Sequence, residues 1–378
     1  MMLADEIEIR IVADKKALKE YIYLPQKIYA SYQNWVPPIY MDEFKFHDPK
    51  HNKSILFTDT IRLIAYKNKQ AVGRIMGIIH KKYNEQHDEQ TARFFQLDCI
   101  DDLTVSHALI QYIENWAIEK GMNKLIGPFG YSDKDPEGLQ IEGFEYLPII
   151  ATPTNPPYLQ HLVEAEGFSK KVDCVSYKIE VPEKLSSVHE KIFQRICQNK
   201  KLQLIEFSSK KQLKPYIIPV FRLINETYAH LFGFVPMTED EMQRMAVQYM
   251  PVLDPAFVKV VMNENNELIA FVIAMPDMSI GIQKAKGKLF PFGFIHILSA
   301  AKKTRQLNLL LGAVKEKYRG LGIDVLMGQA VIQSAIKRKF NVMDSHLVLE
   351  TNKPMCAVYE NINGVIYKRY RVYQKDLK

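Results

Sequence analysis

Most of the features that betray a protein's chemistry at first reading are missing from this chain. Four cysteines, Cys99, Cys174, Cys197 and Cys356, are scattered over 378 residues without a Cys-x-x-Cys pair. That argues against a disulfide framework and predicts reduced, mostly buried thiols in a cytoplasm. No metal-ligand spacing is present, and none of the sequence is of low complexity. The start, Met1-Met-Leu-Ala-Asp-Glu, is acidic and has no apolar core, so no signal peptide is expected. The most suggestive apolar stretch, residues 289–301, is only 13 residues long, too short to span a bilayer, so no transmembrane segment is expected. Neither sign of charge dominates: a net +7 suits an anionic ligand but is too mild to indicate a nucleic-acid partner. The 47% hydrophobic and 25% charged content fits a soluble globular protein. The length favours two cores over one.

The richest stretch is Val314-Lys-Glu-Lys-Tyr-Arg319-Gly320-Leu321-Gly322-Ile323-Asp324. An apolar run over residues 307–314 precedes it and reads as a strand. After it, Ile323, Leu326, Met327, Ala330, Val331, Ser334 and Ala335 share one helical face. A strand, a glycine loop and a helix start together make an anion cradle. Backbone N–H groups turn inward at the glycines, and the helix N-terminus adds about half a positive charge. The other reading is an ordinary tight strand-to-helix turn.

This loop resembles motif A of the GNAT (GCN5-related N-acetyltransferase) superfamily, Arg or Gln, two residues, Gly, one residue, then Gly or Ala. Arg319 and Gly322 match, Gly320 supplies the common extra glycine, and Asp324 departs at the last position. A second match lies downstream. A buried strand is expected over residues 346–350, ending at Glu350. It leads into Thr351-Asn352-Lys-Pro-Met-Cys-Ala-Val-Tyr359, with a helix stop at Asn363-Gly364. The resemblance implies two mixed, mostly antiparallel sheets flanked by helices, an α/β (α+β) fold. It implies acetyl- or acyl-coenzyme A as cofactor. Val314 and its strand would pair with the pantetheine, Arg319, Gly320, Leu321, Gly322 and Ile323 would hold the pyrophosphate, and Asn352 would contact the cofactor. Tyr359 is implied as the acid that protonates the leaving thiolate; a phenol is still protonated at pH 7. It also reads as a core aromatic. Glu350 reads either as the base for an amine or as a cap or salt-bridge partner.

The pattern occurs twice. Asn155 and Asn352 lie 197 residues apart, as do the hairpin segments at Ala71 and Leu268. Near-constant offsets of one domain length predict a duplication. We expect a first domain over residues 6–182 and a linker over 183–201. The linker reads as helical, with Ser187 and Glu190 at capping-box spacing and Val188, Ile192 and Ile196 on one face. A second domain is expected over residues 202–378. The first copy reads Cys99-Ile-Asp-Asp-Leu-Thr-Val105 where its phosphate loop belongs, and Leu162 where the second has Tyr359. It has the shape without the chemistry.

Each copy carries an insertion. Residues 128–150 hold Asp133, Asp135, Glu137 and Glu142, which read as carboxylates presented to an amine or as a solvated, capped loop. Residues 277–305 place six cations around the apolar stretch and read as a lid over an acyl chain, a membrane-surface helix or a plain helix, with lid or plain helix favoured. The function expected is transfer of an acyl group from coenzyme A to an amine or similar small nucleophile. A non-catalytic acyl-coenzyme A sensor or scaffold and an aminoacyl-tRNA-dependent transferase are the alternatives; the glycine loop and the absence of a long helical arm count against the last.

Overall fold

The computed structural model describes residues 7–184, 190–191, 193–194 and 201–378. The expected linker helix and Cys197 lie largely outside these residues. The strands are β1 (Ile7–Ile11), β2 (Thr58–Lys67), β3 (Gln70–His80), β4 (Thr91–Cys99), β5 (Lys124–Gly127), β6 (Leu139–Glu142) and β7 (Ser169–Glu180). In the second half come β8 (Leu202–Glu206), β9 (Val258–Asn263), β10 (Leu268–Pro276), β11 (Gln306–Val314), β12 (Val342–Asp344), β13 (Val348–Leu349) and β14 (Val365–Asp376). They form one continuous mixed sheet ordered β1-β2-β3-β4-β5-β14-β7-β12-β11-β10-β9-β8, with β6 on β14 and β13 on β7. Helices cover its faces. The helix Leu103–Glu119 follows β4 and the helix Ile323–Lys337 follows β11 after a short turn, and among the described residues only β4–β5 and β11–β12 are parallel. A crossover helix is what a parallel pair requires.

The order shows an exchange. β14, the last strand of the chain, lies beside β5 of the first half, and β7 lies beside β12 of the second. The first half of the chain thus lends β7 to the second, and the second lends β14 to the first. Tyr373 on β14 is buried in the first-half core with Phe94, Leu125 and Leu162. Val175, Tyr177 and Ile179 on β7 are buried with Leu307, Met343 and Tyr359. β7 and β14 run antiparallel with Cys174 opposite Tyr370. Those two residues are 196 apart, about one repeat, so equivalent positions face each other as a local two-fold axis demands.

Two expectations are corrected here. The strand expected over residues 346–350 is broken: β12 ends at Asp344, and only Val348 and Leu349 resume pairing. His346 has φ +59°, and its N–H donates to Asp344 Oδ1 at 2.7 Å, which turns the chain out of the ladder. The acidic insertion is not a solvated loop. Residues 127–132 and 137–140 are buried. Asp135 accepts the Tyr131 N–H at 2.7 Å, and burial pushes its carboxyl up to about 6. Asp135 holds the insertion to itself, whereas Asp133 accepts from the Val235 N–H of the second half and Glu142 pairs with Arg369.

Candidate active site

β11 leads through a short turn into Arg319-Gly320-Leu321-Gly322 and the helix Ile323–Lys337. Gly320 and Gly322 take φ +75° and +79°, the left-handed region where glycine is unstrained. Gly322 is the N-cap and supplies no side chain, and the first helical bond is Leu326 N–H to Gly322 O at 2.9 Å. Among the described residues no acceptor meets the N–H groups of residues 320–325. Arg319 lies exposed, its Nε donating to Val314 O at 3.3 Å. Leu321 is exposed, and Ile323 is buried as the helix anchor. Asp324 points to solvent in the first turn, where its charge is favourable to the helix.

The strand behind the loop has a free edge. β11 pairs with β12 only at residues 306–308, and β11 then continues to Val314 while β12 has stopped. A bulge sits at Leu310, between the pairs Ile273–Leu311 and Ala274–Leu309 on the β10 side. At Gly312 the Tyr228 hydroxyl donates to the carbonyl at 2.9 Å and accepts from the N–H at 3.4 Å.

Tyr359 sits on the helix Lys353–Glu360, stacked on Tyr177 of the exchanged strand with ring centroids 5.4 Å apart. Burial, with Tyr228 and Asp344 nearby, pushes its phenol well above the usual value. It therefore stays a proton donor at any physiological pH, and its hydroxyl has no protein partner among the described residues. Asn352 caps the same helix, Oδ1 accepting from Met355 N–H at 3.3 Å. Glu350 is not with them. Its carboxylate is paired with Lys170 at 2.6 Å and Arg369 at 3.9 Å, beside Asp173. This is the salt-bridge arrangement, and the base role is not carried forward.

A cavity of about 350 Å³ lies where β11 and β12 pair, lined among others by Asp277, Gln306, Asp344, Lys178 and Tyr367. Asp344 is buried and accepts hydrogen bonds from the Tyr367 hydroxyl and the His346 N–H, with Lys368 Nζ at 3.8 Å. Asp277 is half-buried and accepts from the Ser279 hydroxyl at 2.6 Å and Asn308 Nδ2 at 3.1 Å. Asp344 lines this cavity and also acts on the Tyr359 phenol. Sequence reasoning missed this group. Its members lie up to 90 residues apart, at 277, 344 and 367, with no shared spacing to signal them.

In the first half both parts of the site are filled from within. Asp102 caps its helix, Oδ1 accepting from the Thr104 N–H at 2.9 Å. The Thr104 hydroxyl, with Lys67 and that cap, holds its carboxyl down at about 2. The gap between β4 and β5 is taken by the insertion: Phe129 N–H donates to Phe94 O at 2.9 Å, and buried Arg93 donates to Gly130 O and Tyr131 O.

No protein-family model matches the chain. It is 28% identical over 382 residues to Protein YghO of Escherichia coli (strain K12), covering 98% of this chain and 95% of that one. It is 27% identical over 368 residues to the bacterial ceramide synthase of Caulobacter vibrioides (strain NA1000 / CB15N), covering 95% of each. Among solved structures it is similar to a tandem GNAT protein from the clavulanic acid biosynthesis pathway, with a TM-score of 0.54, 12% identity and 99% of both chains covered. The fold is thus a tandem GNAT-like one, as the motifs led us to expect.

Proposed function

We propose that the second half binds acyl-coenzyme A and passes the acyl group to the amino group of a long-chain amino alcohol, giving an amide. The observation that supports the reading is the uncapped glycine loop at the end of β11, a strand unpaired with β12 beyond Asn308 and held at Gly312 by Tyr228, a neighbour of Tyr359. The pyrophosphate takes the N–H groups of residues 320–325, with Arg319 as counter-charge. The pantetheine amides pair with the free edge of β11 and replace the Tyr228 hydroxyl at Gly312. The head group of the acceptor enters the cavity beside Asp277 and Asp344. Its ceramide-forming class is supported by the name of the relative at 27% identity.

In the reaction the amine nitrogen attacks the thioester carbon. The N–C bond forms, the C–S bond breaks, and the nitrogen's proton goes to Asp277. Tyr359 gives its proton to the departing sulfur. Solvent then returns the proton from Asp277 to the phenolate. Positioning two bound reactants supplies most of the acceleration, and the proton transfers add to it.

The test begins with native mass spectrometry of freshly purified protein, which should show one retained coenzyme A species per chain. Incubation with a long-chain acyl-coenzyme A and a long-chain amino alcohol should then release free thiol and form the amide in equal amounts. If thiol release is independent of the amine, or no amide forms, the acyltransferase reading is wrong.

A further inference from the structure

Beside the cavity, the insertion of the second half builds a surface that acyl transfer does not explain. Two short helices, Ser279–Lys284 and Gly293–Lys303, pack against each other, with Gly281 so close to Ile297 that a Cβ there would stand 2.7 Å from its Cα. Ile282, Leu289, Ile297 and Ala301 face inward onto Met275 and Met278. The segment is also tied to the first half. Gln283 Nε2 donates to Gln33 O and Trp35 O, and Gly287 O accepts from the Tyr40 N–H at 3.0 Å. It is a firmly mounted platform rather than a loose lid.

Its outer face is apolar. Phe290 and Phe292 are 73% and 67% exposed, and Phe294, Ile295 and Leu298 are exposed with them. The rings of Phe290 and Phe294 lie side by side, with centroids 6.3 Å apart. Large exposed apolar patches mark an interaction surface. The charge around it is of one sign. Lys284, Lys286 and Lys288 precede the patch, and Lys302, Lys303 and Arg305 follow it. All six are exposed, and no carboxylate occurs anywhere in residues 278–315. These six account for all but one of the chain's net charge of +7. None is in an ion pair among the described residues.

We infer that this face docks on the surface of an anionic lipid bilayer. Aromatic rings flanked by unpaired lysines are the chemistry of an interfacial anchor: the rings enter the acyl boundary and the cations meet lipid phosphates. Among the described residues no helix is long and apolar enough to cross a membrane. The ends of the same segment, Ser279, Ile280, Thr304 and Arg305, line the 350 Å³ cavity. Docking therefore sets the mouth of that cavity at the lipid surface. The inference rests on this surface and stands whether or not the acyltransferase reading does.

The full chain is sedimented with vesicles of phosphatidylcholine containing roughly one-third phosphatidylglycerol, and with phosphatidylcholine vesicles alone. We expect binding to the first and little to the second. Phe290→Ser, Phe292→Ser and Phe294→Ser should each weaken partitioning about tenfold. Lys284→Glu, Lys286→Glu and Lys288→Glu should each cost at least about fivefold. Thermal melts of all six should match the wild type, because every altered side chain is exposed. Equal binding to both vesicles, no binding to either, or wild-type binding by a variant that combines the three Phe→Ser substitutions (the combined phenylalanine variant) overturns the inference. So does a concentration-dependent dimer that the combined phenylalanine variant dissolves, since the face would then be covered by a second copy of the chain.

Discussion

Gly322→Asp tests the asymmetry between the two halves. Gly322 caps its helix with φ +79° and leaves the first N–H groups open. In the first half the same N-cap position holds Asp102, whose carboxylate fills the helix end itself. The substitution writes the first-half arrangement into the second half. For stability two effects nearly cancel: a left-handed non-glycine residue costs about 1–2 kcal/mol, and a new N-cap returns about 1 kcal/mol. For an anionic ligand nothing cancels. Two charge-assisted bonds to backbone N–H groups, at about 1.5–3 kcal/mol each, are lost to the internal carboxylate. The sum of about 3–6 kcal/mol corresponds to roughly 10²–10⁴ in Kd, and like-charge repulsion adds to it. Calorimetric titration with coenzyme A, alongside a thermal melt, reads both quantities. Gly320→Ala is the companion, since a Cβ there meets nothing within 4 Å and adds only backbone strain; its binding loss should be much smaller. A Gly322→Asp protein that melts normally and binds within about threefold of wild type would refute the placement of the ligand.

Other outcomes follow from the same geometry. Tyr359→Phe keeps the ring stacked on Tyr177 and removes only the donor, so kcat should fall about 10²–10⁴-fold with coenzyme A affinity unchanged; turnover within about threefold of wild type would remove Tyr359 from the chemistry. Because β7 and β14 are exchanged, halves cut near residue 200 and co-expressed should purify as one complex, and two independent, natively folded monomers would show the exchange to be dispensable. Burial pushes the Glu137 carboxyl from its usual 4.5 up to about 8. The folded chain keeps a proton that the unfolded chain loses, so this contribution is full below pH 4.5 and fades as pH rises to about 8. Glu137→Gln should therefore gain stability relative to wild type across that window, by a few kcal/mol at its upper end; parallel pH–stability curves for the two proteins would contradict it.

Local chemistry and repetition were legible in the chain. The strand, glycine loop and helix around Gly320 and Gly322 are set by residues adjacent in sequence: positive φ belongs to glycine, and the helical face of Ile323, Leu326, Met327 and Ala330 repeats at its own period. The Asn352 cap, the helix bearing Tyr359 and the left-handed Asn363 are local in the same way. The 197-residue offset announced two copies of one fold, because a repeated pattern of core positions survives as spacing. Which strand sits beside which is a different kind of fact. The β propensity of residues 365–376 suits either half equally, and only the closing of the sheet placed β14 between β5 and β7. The partners of Glu350, the plug that the acidic insertion makes in the first half, and the meeting of Asp277 with Asp344 arise the same way. They depend on side chains far apart in sequence entering one volume, and burial and charge there are properties of the assembled neighbourhood, which no single stretch of residues carries.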